Sequence, residues 1–297
     1  MTESLGEVAA ITHRLAVLLA AGVAPVSAWR HVAVGARSAV PAAAAASGPA
    51  GIPGAIVAAA TGGDASARQA WRGLAAAWAV ATDAGAPLAP SLTSYASSLR
   101  ALADAQRDVR VALAGPKSTA RIVMVLPAIG VLFGLALGFN TLGVLVTTPP
   151  GWMCVAAGAA LMLLARYWTR RLLASAQPAD TTPGLDHDLA AIAVSGGGAL
   201  DRAVAAVHEA GATYGITVGD LDATLDLSRR AGVPAGDLLR GEAEERRRAA
   251  RADAQERAAA LSVRLMLPLG LCVLPAFMAL GVLPLLIAVV SSTVGTF

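Results

Sequence analysis

The amino-acid sequence predicts an all-α chain: a polytopic membrane protein with three transmembrane helices and two small cytoplasmic helical bundles. Three observations predict it. Hydrophobic residues fill 56% of the 297 positions and charged ones only 14%, against roughly 25% charge in an average globular chain; mean hydropathy is +0.62. Residues 122–165 and 265–297 carry no charged side chain at all. Elsewhere apolar positions recur at helical spacing, as at Leu189, Ile192, Leu200, Ala203, Val204 and Val207, and strand-like alternation is nearly absent.

Taken in order, residues 1–120 read as a first cytoplasmic helical domain. The uncharged run that follows is too long for one crossing, because about 20 apolar residues cover roughly 30 Å of hydrocarbon. It divides at "TTPPGW" (Thr147–Trp152), where two prolines and a glycine favour a turn. The expected hairpin, 121–168, thus has spans at about 121–146 and 151–168. Residues 169–264 form the second cytoplasmic domain, 265–290 the third span, and 291–297 an extracytoplasmic tail.

Orientation follows from the basic flanks. Arg110, Lys117 and Arg121 precede the first span, and Arg166, Arg170 and Arg171 follow the second. Arg246, Arg247, Arg248, Arg251, Arg257 and Arg264 precede the third, whereas the hairpin tip and the tail "SSTVGTF" are uncharged. The positive-inside rule then places every basic flank, and with them the N-terminus, in the cytoplasm and the C-terminus outside, in a multi-pass protein of the cell membrane. No signal peptide is expected, since Glu3 and Glu7 outweigh Arg14 where a basic region would stand.

The two polar segments repeat a pattern. "LAVLLAAGVAPVSAWRHVA" from Leu15 and "LAAAWAVATDAGAPLAPSL" from Leu74 match "LAAIAVSGGGALDRAVAAV" from Leu189 and "LDATLDLSRRAGVPAGDLL" from Leu221. Each is a helix, a glycine suited to a left-handed helix end, and a second helix usually opened by proline. The repeat extends into the spans: "RIVMVLPAIGVLFGLALG" from Arg121 parallels "RLMLPLGLCVLPAFMALG" from Arg264. The low-complexity stretch from Val40 to Gly63 has no counterpart in the second half and reads as a loose connection with a poor helix.

Several function classes find no support. The net charge of +3 and the lack of a basic face interleaved with aromatics argue against nucleic-acid binding. His13, His31, His187 and His208 are scattered without metal-ligand spacing, and Cys154 and Cys272 sit alone in apolar runs. The Gly-rich "GGDASARQ" and "SGGGALDR" lack the GK[ST] ending of a phosphate loop. Neither a cofactor nor an enzymatic activity is expected.

On the helix–AG[VA]–Pro–helix units at Gly22 ("AGVAP"), Gly85 ("AGAP") and Gly232 ("AGVP"), and on the charged helix leading into "RLMLPLGLCVLPAFMALGVLP", the chain resembles the type II secretion system F family. Its ending is similar to that of the Tad/Flp pilus assembly branch. The resemblance implies a non-enzymatic inner-membrane platform for protein secretion or pilus assembly. Its implied partners are a cytoplasmic secretion ATPase, pilin subunits, membrane lipids, and a paralogous platform protein or a second copy of itself. The chain departs from the family pattern where Gly197 and Gly232 stand 35 residues apart while Gly22 and Gly85 stand 63 apart. The other class to be tested is a small-solute transporter or accessory subunit of a membrane complex. Against it, the uncharged cores of the three spans hold no Asp, Glu, His, Lys or Arg, with Arg121 and Arg166 only at their edges.

Three features have two readings each. Arg246, Arg247, Arg248 and Arg251 form either a solvated, lipid-facing run or a docking face for an acidic partner such as the ATPase. The (i, i+4) pairs Glu242–Arg246, Glu244–Arg248 and Asp253–Arg257 support that helix. Gly130, Gly134 and Gly138 make a GxxxGxxxG face, for helix packing or as a product of a glycine-rich composition. Pro127, Pro268, Pro275 and Pro284 either kink the spans into a groove for a pilin helix or are merely tolerated there.

Overall fold

The computed structural model describes residues 4–112, 148–175 and 182–284, with isolated positions at 125, 129, 132, 133, 135, 136, 143, 286, 287 and 290. Every regular element among these residues is helical. The first expected span and its Gly130, Gly134 and Gly138 face lie outside the described residues, apart from isolated helical positions of the span. So does the 291–297 tail.

Two compact units divide the chain, one of residues 1–107 with 178–252 and one of 108–177 with 253–297. The first unit holds α1 (Leu5–Ala20), α2 (Pro25–Ala33), α3 (Val40–Ala46), α4 (Ile52–Ala59), α5 (Ala65–Asp83) and most of α6 (Leu88–Ala112). From the second polar segment come α8 (Leu185–Ser195), α9 (Leu200–Tyr214), α10 (Asp222–Ala231) and the start of α11 (Ala235–Arg264). The sequence led us to expect two bundles. The structure instead has one hydrophobic core, running from Leu5 to Leu239 through both segments.

The reason lies in α5, which touches α1, α4, α8 and α9. Its Ala67, Ala70, Ala75, Ala76, Ala77 and Ala81 are all buried, and side chains this small let neighbouring backbones close in. A Cβ on Gly196 at the end of α8 would overlap the Ala84 carbonyl just past α5. Helix α8 is buried without interruption from Leu185 to Ala193. A helix buried this thoroughly must be enclosed by others, and α5 of the first segment supplies part of its wall.

The helix–Gly–helix units form as their sequences predict. Gly22, Gly85, Gly197 and Gly232 join α1 to α2, α5 to α6, α8 to α9 and α10 to α11, each with positive φ. At Gly22 the backbone shows why: the Val23 N–H donates to the Leu18 carbonyl at 3.0 Å, closing the helix end with Gly22 left-handed. The stretch from Val40 to Gly63, in contrast, is no loose connection. It forms α3 and α4, with Val40 and Ala44 and then Ile52 and Ile56 fully buried. Those (i, i+4) pairs give each short helix an apolar stripe, and alanine favours the helix between. Asp64 caps the next helix, its Oδ1 accepting from the Ala67 N–H at 2.7 Å.

The second unit is built on α7 (Pro149–Ser175) and the chain from residue 253 onward. "TTPPGW" does not sit wholly in a turn: Thr148 precedes the helix, its Oγ1 accepting from the Gly151 N–H at 3.2 Å, and Pro149 opens it. Proline suits that first position, where its missing N–H has no partner to lose. Past Arg264 the chain stays helical to Val282, with π turns at Leu269–Val273 and Met278–Val282. The last donor of each π turn, Leu274 or Leu283, directly precedes a proline, Pro275 or Pro284. A widened turn moves the carbonyl that the proline ring would otherwise strike.

This last helix runs antiparallel against α7. Gly158 faces Leu280, Ala165 lies with Cys272 and Val273, and Leu172 and Leu173 pack on Leu261 and Leu265. Both helices are long and apolar enough to cross a membrane, with mean hydropathy 1.2 and 2.2 in their best windows. Only 17% and 33% of those windows is buried, which leaves Trp152, Met153, Leu163, Met266, Leu271 and Leu274 exposed. Apolar surface on this scale calls for lipid or protein to cover it.

Candidate functional site

The strongest concentration of buried charge is where α11 meets α8 and α6. "DHD" at 186–188 opens α8, and all three side chains are buried. Asp186 and Asp188 lie in the first helical turn, where carboxylates complement the exposed N–H groups and the helix dipole. On α11, Arg246 and Arg247 come from successive positions and reach different carboxylates. Arg247 Nη1 donates to Asp188 Oδ2 at 2.7 Å, with the two side chains 16% and 4% exposed. Ser98 Oγ on α6 donates to the same carboxylate oxygen at 3.0 Å. Arg246 holds Glu242 at 3.2 Å and lies 3.7 Å from Asp186.

Asp186 is the better satisfied of the two acids. Its Oδ1 accepts from the His187 backbone N–H at 2.9 Å and lies 2.9 Å from His187 Nδ1, and its Oδ2 accepts from the Gly219 N–H at 3.0 Å. Burial pushes its pKa up, but these hydrogen bonds and the His187 charge prevail and hold it at about 2. Asp188 goes the other way: burial raises its pKa, against the pull of Arg247 and Ser98. Burial likewise raises the pKa of Tyr95, helped by the Asp188 charge. The Tyr95 hydroxyl donates to the Ala70 carbonyl of α5 at 2.7 Å, so the charged seam and the central helix are tied together.

The four arginines singled out in the sequence separate on this surface. Arg246 and Arg247 hold carboxylates of the same unit, and Arg251 donates to the Ala101 carbonyl at the C-terminal half of α6. Arg248 alone among them reaches only exposed partners, Glu244 and Glu245, and is itself 65% exposed. Three of the four thus fasten α11 to its own bundle. Sequence reasoning did not single out Asp186 and Asp188; the signal that could have found them is two acids inside an otherwise apolar helix, "LDHDLAAIAV", which need partners if they are buried.

The space beside the Asp188–Arg247 pair, lined by Tyr95, Ser98 and Leu185 among others, is about 10 Å³. That is at the limit for one water, and too small for a substrate. Among the described residues no three His, Cys, Asp or Glu side chains converge as a metal site. The arrangement can do one thing well: fix the position of α11 through directional, buried hydrogen bonds. Comparison with protein-family models, with curated proteins and with solved structures found no match to this chain.

Proposed function

We propose that the chain is an inner-membrane scaffold, the platform of a type II secretion or Tad/Flp-type pilus assembly machine, coupling a cytoplasmic ATPase to pilin assembly. The observation that carries this reading is the arginine clamp on α11. The same helix that is held by Asp186, Asp188 and Ala101 in one unit continues at its other end into the apolar helix of the second. In this reading a force applied to the helical bundle passes along α11 to the membrane segment, with Arg248, Glu244 and Glu245 offered to a partner. Three spans cross the membrane, the bundle is cytoplasmic, and the C-terminus lies outside.

Co-expression with a secretion ATPase and its pilin tests the reading. The platform is expected to bring down the ATPase, and Arg248→Glu to weaken the capture while leaving insertion intact. Failure to capture either partner, together with solute uptake by vesicles carrying the protein, overturns it in favour of a transporter. For topology, Ser291→Cys in a chain with Cys154 and Cys272 replaced should react with an impermeant thiol reagent only from outside; labelling from the cytoplasmic side reverses the orientation.

A further inference from the structure

Within the second unit, a cavity of about 260 Å³ opens where the end of α7 meets the end of α11. Leu172 and Leu261 form its apolar wall, and Ser175, Glu256, Arg257 and Arg264 its polar one. It lies at the edge of the uncharged run that begins after Arg264, at the level where the proposed membrane surface falls. We propose that this cavity binds the headgroup of a phospholipid carrying both a phosphate and a primary ammonium.

The lining has donors and acceptors in the pattern such a headgroup needs. Arg257 uses one nitrogen, Nη2, on Asp253 at 3.2 Å; a guanidinium has five N–H donors, so others remain. Arg264 has no ion-pair partner among the described residues. Two guanidinium groups recognise phosphate oxygens by charge-assisted hydrogen bonds. Ser175 Oγ donates its hydrogen to the Leu172 carbonyl at 2.8 Å, so at this cavity-lining hydroxyl the remaining capacity is as an acceptor. With the Glu256 carboxylate it makes a seat for an ammonium. A purely anionic headgroup would leave Glu256 opposed, and a quaternary amine would offer no N–H to either acceptor. Basic cavities between membrane helices are known seats for lipid headgroups; the carboxylate is what narrows the choice here. Beyond the cavity, exposed Val263, Met266 and Leu267 offer apolar surface for the acyl chains.

The inference rests on membrane insertion but not on the secretion role. The full chain, reconstituted in vesicles of equal phosphatidylethanolamine, phosphatidylcholine and phosphatidylglycerol, is extracted in detergent and its retained lipid measured by mass spectrometry. Phosphatidylethanolamine is expected to be retained over both others. Arg264→Gln should cut that retention about tenfold, as loss of one charge-assisted bond implies, and Arg264→Lys should restore part of it. Glu256→Gln should abolish the preference over phosphatidylcholine without lowering phosphatidylglycerol. Displacement of the lipid by soluble phosphoethanolamine would show that the headgroup alone suffices, and resistance to it that the acyl chains contribute; both support the site. Equal retention of the three lipids, or a preference untouched by either Gln variant, overturns the site while leaving the platform reading in place. A chain recovered from the soluble fraction overturns both, and lipid selectivity without ATPase capture overturns only the platform.

Discussion

At the scale of single residues, the Asp188–Arg247 pair shows how a buried charge depends on its partner. The arginine works against burial, which raises the pKa of this carboxylate. Arg247→Ala should therefore destabilise the bundle by about 3–5 kcal/mol at neutral pH, the usual cost of stranding a buried charge. A carboxylate with a raised folded pKa binds its proton more readily in the folded state. The loss in Arg247→Ala should accordingly shrink as pH falls and grow as it rises, which thermal melts across pH will read. Asp186 has the opposite sign. Its pKa is depressed to about 2 from an ordinary 3.8, so its contribution is present above the ordinary value and fades between the two as acid is added. Asp186→Asn should flatten that acid limb of the stability profile; an unchanged limb would place the acid sensitivity elsewhere. The sequence displayed both acids, but not their partners, because Arg246 and Arg247 lie about sixty residues away and periodicity carries no information about which distant face a helix meets.

At the scale of elements, helix ends were the most legible feature, because their chemistry is local. A glycine that must take positive φ, or a proline that fits only a first turn, acts within a few residues. Helices α3 and α4 were not legible. Their sequence is mostly Ala, Gly and Pro, and their formation depends on Val40, Ala44, Ile52 and Ile56 finding the core. The contact between α7 and the last helix is equally a matter of encounter. A Cβ on Gly158 would overlap the Leu280 side chain, so Gly158→Ala should weaken the pair by about 1–3 kcal/mol. Adding Leu280→Ala should return part of the loss. A double-mutant cycle on melting in detergent measures the coupling, and strict additivity would mean that the two side chains do not share this site.

At the scale of the molecule, the all-helical character and the long uncharged stretches were plain from composition, whereas the sharing of one core by both polar segments was not. The internal repeat pointed to two self-contained halves. What it could not convey is that α8, enclosed on every side, has its wall in α5 of the other half. A fragment of residues 1–112 should therefore fail to fold alone, with helical circular dichroism and protease resistance appearing only on co-expression with the remainder; a protease-resistant 1–112 fragment would restore the picture of independent bundles. The alanines of α5 carry a further consequence, one for heredity. Where alanine already fills the available space, almost every possible replacement is an enlargement, and only glycine is smaller. Drift along this helix is thus lopsided: nearly every replacement of these alanines presses outward on one of the helices packed around it, so the plainest-looking segment of the protein should be among the slowest to change.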